Sequence, residues 1–83
     1  MEEYRIFLRE QGFNDEQIII MTQLREMYLK EYEDGNGFKM DFYRLTAKRI
    51  IFSSGLWQAH PKNKTDILNW NNTDTDDFII NFI

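Results

Sequence analysis

The fold of this chain is decided by a short stretch near its beginning, Gly12-Phe13-Asn14-Asp15-Glu16-Gln17-Ile18. Gly12 suits the left-handed conformation that follows a helix end, so it predicts that a first helix stops there. Asn14 is a favourable N-cap, and Gln17 three residues later predicts a capping box that starts a second helix. Phe13 and Ile18 are spaced to form a hydrophobic staple across that start. One helix therefore ends and another begins within this stretch.

Helical periodicity extends from this stretch in both directions. It predicts a first helix over residues 2–11, with acidic residues in its first turn, and a second over 15–33. The breaker at 34–37, Asp-Gly-Asn-Gly, ends the second helix and turns the backbone. A third helix is predicted over 38–53, where apolar residues recur at three- and four-residue steps, at Met40, Tyr43, Ala47 and Ile50. Residues 38–42 also alternate with a period of two, so a short strand entering this helix is an alternative.

A helical wheel of the second helix predicts which of its faces is buried. Ile20, Leu24 and Met27 share an apolar face. The side chains that extend it round the side are Ile18, Met21, Tyr28 and Tyr32. The opposite face is expected to be solvated and carries Thr22, Glu26, Lys30 and Glu33. The apolar arc spans roughly half of the circumference, which predicts contact with two neighbouring elements.

The C-terminal part of the chain has a weaker pattern. A short helical turn is expected around residues 67–70, after the break at His60-Pro61. The last segment, residues 76–83, is strongly apolar. A capping box of Thr73 and Asp76 favours a helix there, whereas the nearly continuous apolar run equally fits a strand. The sequence thus predicts one all-α domain over residues 1–83: a compact three-helix bundle with a short C-terminal helical or extended segment packed on it.

Composition excludes several kinds of site. The chain has no cysteine and one histidine, so it lacks disulfides, thiolate metal sites and histidine clusters. Residues 34–38 invite comparison with the middle of a calcium-binding EF-hand loop, but the first and twelfth ligand positions fall on Tyr32 and Tyr43. There is no phosphate-binding glycine loop and no nucleophile beside His60. We therefore expect a protein that is not an enzyme and uses no metal or other cofactor.

The N-terminal sequence and the apolar runs of the chain indicate where in the cell the protein is located. The N-terminus is acidic, unlike a secretory signal, and no apolar run approaches the ~20 residues that span a bilayer. We therefore expect a cytoplasmic protein with no membrane partner. The net charge is −4, and the composition is rich in Ile and Asn but lacks Val. This composition is typical of AT-rich genomes, in which small acidic proteins are often encoded by phages or other mobile elements.

The leading functional hypothesis is a non-enzymatic protein-binding module, a small acidic regulator or inhibitor that docks on a larger protein. Large aromatic side chains crowd the C-terminal third beside a cluster of acids, and exposed aromatic clusters mark interfaces. The predicted contact residues are Trp57, Trp70, Phe78 and Phe82, with Asp74, Asp76 and Asp77 steering a basic partner. The alternative for the aromatic residues is that they close the fourth side of the core.

A second hypothesis is nucleic-acid binding in the manner of a helix-turn-helix protein. The third helix carries four basic residues, and a short helix with outward positive charge can enter a DNA groove. The residues concerned are Lys39, Arg44, Lys48 and Arg49. The alternative for these residues is an ordinary solvated face that offsets the acidic second helix. A third hypothesis is a structural role as a homo-oligomer.

Overall fold

The fold is described by a computed structural model over residues 2–54 and 67–81. Within these residues every regular element is helical, so the predicted all-α class is confirmed. The elements are α1 (Glu2–Glu10), α2 (Asp15–Asp34), α3 (Gly37–Ser54), a 3₁₀ turn (Ile67–Asn69), α4 (Asn72–Asp76) and a π-helical segment (Asp77–Asn81). The C-terminal segment is therefore a helix, and the strand alternatives for residues 38–42 and for the described part of 76–83 are wrong.

The junction between α1 and α2 follows from local hydrogen bonding. Gly12 has φ 94°, and the N–H of Phe13 donates to the carbonyl of Leu8 across 3.1 Å. The Asn14 side chain accepts from the backbone N–H of Gln17 at 2.8 Å, and the Gln17 side chain accepts from the N–H of Asn14 at 3.0 Å. This reciprocal pair is the predicted capping box, and it satisfies two donors that the helix start leaves without partners.

A second capping box begins α4, but not where the sequence predicted it. The pair is Asn71 and Asp74, two residues before the predicted Thr73 and Asp76. The Asn71 side chain accepts from the N–H of Asp74 at 2.8 Å, and Asp74 accepts in return from the N–H of Asn71 at 3.4 Å. Asparagine is at least as good a cap as threonine, and the earlier start leaves Asp76 available for a tertiary contact.

The buried face of α2 is rotated from the predicted one. Ile20, Met27 and Tyr32 are exposed, whereas Thr22 is buried. The buried side chains are those that face the neighbouring elements, namely Ile18, Met21, Thr22, Leu24 and Tyr28. Thr22 is tolerated there because its hydroxyl donates to the carbonyl of Ile18 at 2.7 Å, so no polar group is left without a partner.

The core lies between the three long helices and is closed by the C-terminal segment. Phe78 is at its centre, with ring centroids 5.1 Å from Phe7, 6.1 Å from Phe13 and 6.0 Å from Trp70. The buried apolar residues are Tyr4, Leu8, Phe13, Ile18, Met21, Leu24, Tyr28, Ala47, Ile51, Ile67, Trp70, Phe78 and Ile79. Arg25 attaches the segment to α2, since its guanidinium donates to the carbonyl of Ile79 at 2.9 Å.

Candidate functional site

The predicted C-terminal contact surface is not present among the described residues. Trp70 and Phe78 are both buried, which agrees with the alternative that these aromatic residues close the core. Asp74 belongs to the capping box of α4, and Asp77 accepts from the Asn81 amide at 3.2 Å. Trp57 and Phe82 lie outside the described residues. The aromatic groups that are placed here stabilise the fold and do not face solvent.

Asp76 joins three elements in one polar network. Its carboxylate binds the guanidinium of Arg44 in a bidentate pair, with Nε to Oδ1 at 2.9 Å and Nη2 to Oδ2 at 3.1 Å. The Tyr28 hydroxyl donates to the same Oδ1, and Arg44 lies over the Tyr28 ring at 5.5 Å from its centroid. The hydrogen bond to Asp76 raises the pKa of Arg44. Burial, and then the hydrogen bond to Asp76, raise the pKa of Tyr28. These groups hold α4 against α2 and α3.

The four basic residues of α3 do not form one basic face. Lys39 points towards α2, where its Nζ is 3.7 Å from Glu31. Arg44 and Lys48 point towards the C-terminal segment: Arg44 binds Asp76, and Lys48 donates to the Trp70 carbonyl at 2.6 Å. Arg49 is exposed and has no ion pair or hydrogen bond within the described part of the chain. The four side chains diverge, because residues 39 and 44 lie on opposite flanks of the helix.

The outward face of α3 instead carries a row of apolar side chains. The exposed fraction is 86 % for Phe38, 61 % for Phe42, 46 % for Leu45 and 42 % for Phe52. With the exposed Arg49 between them, they follow steps of four, three, four and three residues, which place all five within a narrow arc of the helix. We call these five residues the α3 stripe.

The α3 stripe lies opposite the face with which α3 joins the core. Ala47 and Ile51 are fully buried there, and Met40, Tyr43 and Ile50 pack partly against the core. The helix is thus apolar on two opposite faces, and the described part of the chain buries the first of them. Apolar faces of helices are ordinarily buried, so a row of side chains that stay 42–86 % exposed is unusual.

The α3 stripe has a signature in the sequence. The steps at 38, 42, 45, 49 and 52 are those of a coiled-coil seam. The apolar face predicted above is instead the competing set that begins at Met40, and the period-two alternation of residues 38–42 favoured a possible strand. Periodicity alone cannot rank two apolar faces of one helix, because both satisfy the same spacing rule.

A separate surface cleft lies between α1 and the start of α2. It is an open depression of about 540 Å³ lined by Arg5, Arg9, Asp15, Ile18 and Ile19. Asp15 accepts from Arg9 at 3.3 Å, so the acid offsets part of the positive charge. Within the described residues, no three His, Cys, Asp or Glu side chains converge as metal ligands. None of the described helices is long and apolar enough to cross a membrane.

Comparison of the chain with protein-family models, with curated proteins and with solved structures finds no match. The function is therefore inferred from the molecule's own surface.

Proposed function

We propose that this protein is a non-enzymatic protein-binding module and that the α3 stripe is its contact surface. The observation that supports the proposal is the row of exposed aromatic residues along a helix that is already anchored in the core on its other side. The four apolar side chains of the stripe leave roughly 400–500 Å² exposed to solvent. Contiguous apolar patches of this size on single domains are often functional.

The chemistry of the stripe fits helix-in-groove recognition. A helix bound in that way presents anchors at i, i+4 and i+7, which are here Phe38, Phe42 and Leu45. Aromatic residues and arginine are enriched at interface hot spots, and Arg49 lies within the apolar row. Because the helix is preformed and rigidly packed, binding costs little ordering entropy. In this proposal a regulatory or inhibitory action on a larger, cytoplasmic protein follows from occupying a groove of that protein.

Binding through the stripe is tested with one pair of variants. Immobilised wild-type protein, the double variant Phe38→Ala/Phe42→Ala and the control Ile19→Ala are incubated with nuclease-treated lysate of the native host, and bound proteins are identified by mass spectrometry. Ile19 is also an exposed apolar residue, but it lies on α2 outside the stripe.

We expect the wild type and the Ile19 variant to retain the same stoichiometric protein and the double variant to lose it. Circular dichroism verifies that all three proteins remain folded. An identical set of bound proteins on all three would disprove the role of the stripe.

A further inference from the structure

We infer that a second copy of this chain, in antiparallel orientation, covers the α3 stripe whenever the larger protein is not bound. The inference goes beyond the proposed function but rests on it, since self-association and partner binding use the same surface. Two observations carry it: the order of residues along the stripe and the positions of its flanking charges.

The two ends of the α3 stripe lie symmetrically about Leu45. Phe38 lies seven residues before Leu45 and Phe52 seven residues after it. At a rise of 1.5 Å per residue, both lie about 10 Å from Leu45 along the helix axis. A two-fold axis at Leu45 therefore places Phe38 of each copy level with Phe52 of the other copy, so the dimer contains two equivalent Phe38–Phe52 pairs. A two-fold interface of this kind uses the same patch on both subunits.

The charges distinguish antiparallel from parallel pairing. Asp41 and Arg49 lie four residues on either side of Leu45. In the antiparallel arrangement the Asp41 carboxylate of each copy, whose side chain is 71 % exposed, lies level with Arg49 of the other copy. Lys48 of the other copy lies on the same side of the paired helices as this carboxylate. In a parallel arrangement Arg49 would instead face Arg49, and like charges that face each other across an interface oppose association.

The area is sufficient for a reversible dimer. Two stripes together remove roughly 800–1,000 Å² of apolar surface, and the flanking Asp41 and Arg49 side chains bring the total near the ~1,200 Å² lower end of specific interfaces. We therefore expect a dissociation constant in the micromolar range rather than an obligate dimer.

Charge reversal tests both the partner and its orientation. Sedimentation velocity is measured from about 1 µM to about 500 µM, a range that brackets a micromolar dissociation constant. The proteins are the wild type, the single variants Asp41→Lys and Arg49→Glu, their equimolar mixture, and the double variant Asp41→Lys/Arg49→Glu. We expect each single variant alone to dimerise at least about tenfold more weakly than the wild type, because each brings like charges together.

The mixture of the two single variants restores opposite charges across the interface, and so does the double variant paired with itself. We expect both to recover the wild-type dimer. A wild type that remains monomeric at the highest concentration overturns the inference, and so does a dimer that none of the charge reversals weakens.

The two experiments separate the two proposals. A monomeric chain that still captures another protein through the stripe retains the proposed function and replaces the second copy with that protein. Loss of both dimerisation and capture removes the proposed function as well.

Discussion

At the residue scale, Asp76 shows how one carboxylate gains a structural role from its surroundings. In sequence it is one of three acids beside an apolar run. In the structure it accepts hydrogen bonds from Tyr28 of α2 and Arg44 of α3, and it lies at the end of α4. Its sequence neighbour Asp74 accepts from the backbone N–H of Asn71 in the capping box, and Asp77 accepts from the Asn81 amide one turn away. Asp76 differs from these neighbours in its position relative to Arg44, and the local sequence does not specify that position.

Replacement of Asp76 with alanine is expected to lower the free energy of unfolding by about 2–4 kcal/mol. It leaves the Nε and Nη2 groups of the mostly buried Arg44, and the Tyr28 hydroxyl, without the acceptor they share. Asp41 provides a matched control, since it also accepts from Arg44, at 3.0 Å, but its side chain is 71 % exposed. Asp41→Ala is expected to cost less than about 1 kcal/mol. Urea denaturation in dilute solution measures the free energy of unfolding of both variants. Equal losses of stability in the two would contradict a structural role specific to Asp76.

At the element scale, the helix ends were predictable because their causes are local. Asn14 with Gln17 begins α2, and Gly35 with φ 72° ends it; both features depend on neighbours within a few residues. The faces of the helices were less predictable. The buried side of α2 excludes Ile20 and Met27 and includes Thr22, because the positions of α1, α3 and the C-terminal segment determine which side is covered.

The turn between α2 and α3 allows a direct test with two glycines. A Cβ added at Gly35 or at Gly37 would meet no atom within 4 Å, so the effect of an alanine at either position is conformational and not steric. Gly35→Ala is expected to destabilise the fold by about 1–2 kcal/mol, because an L-residue is forced into the left-handed region. Gly37 begins α3 without a positive φ. Gly37→Ala is therefore expected to stabilise the fold by about 0.4–1 kcal/mol, because alanine lowers the conformational entropy of the unfolded chain.

Thermal unfolding of the two alanine variants compares them directly. The expected result is opposite shifts of Tm, downward for Gly35→Ala and upward for Gly37→Ala. A fall of similar size in both would mean that the turn itself needs two flexible residues.

At the scale of the whole molecule, the described aromatic residues include a buried group and an exposed group. Phe78 is buried among Phe7, Phe13 and Trp70, whereas Phe38 and Phe42 lie on the surface of α3. From the sequence, an interface role was predicted for the C-terminal group. The structure places the described members of that group in the core and leaves the α3 group exposed.

This division predicts opposite outcomes for two equivalent truncations. Phe78→Ala is expected to cost about 3–5 kcal/mol, because it empties the centre of the core. In a domain of this size such a loss removes much of the total stability. Phe42→Ala is expected to change stability by no more than about 0.5 kcal/mol while weakening association. Chemical denaturation in dilute solution measures both, and a large loss for Phe42→Ala would show that the stripe serves the fold.

The sequence by itself determined the helical class, the positions of the three long helices and the capping box at Asn14. These features depend on hydrogen bonds and side-chain spacing within one or two turns, and such interactions are encoded locally. The buried face of α3, the directions of Arg44 and Lys48, and the burial of Trp70 and Phe78 depend instead on tertiary packing. Those outcomes depend on which elements lie next to one another. Because a helix with two apolar faces satisfies the same periodicity whichever way it turns, its covered face is chosen by the packing of the whole chain.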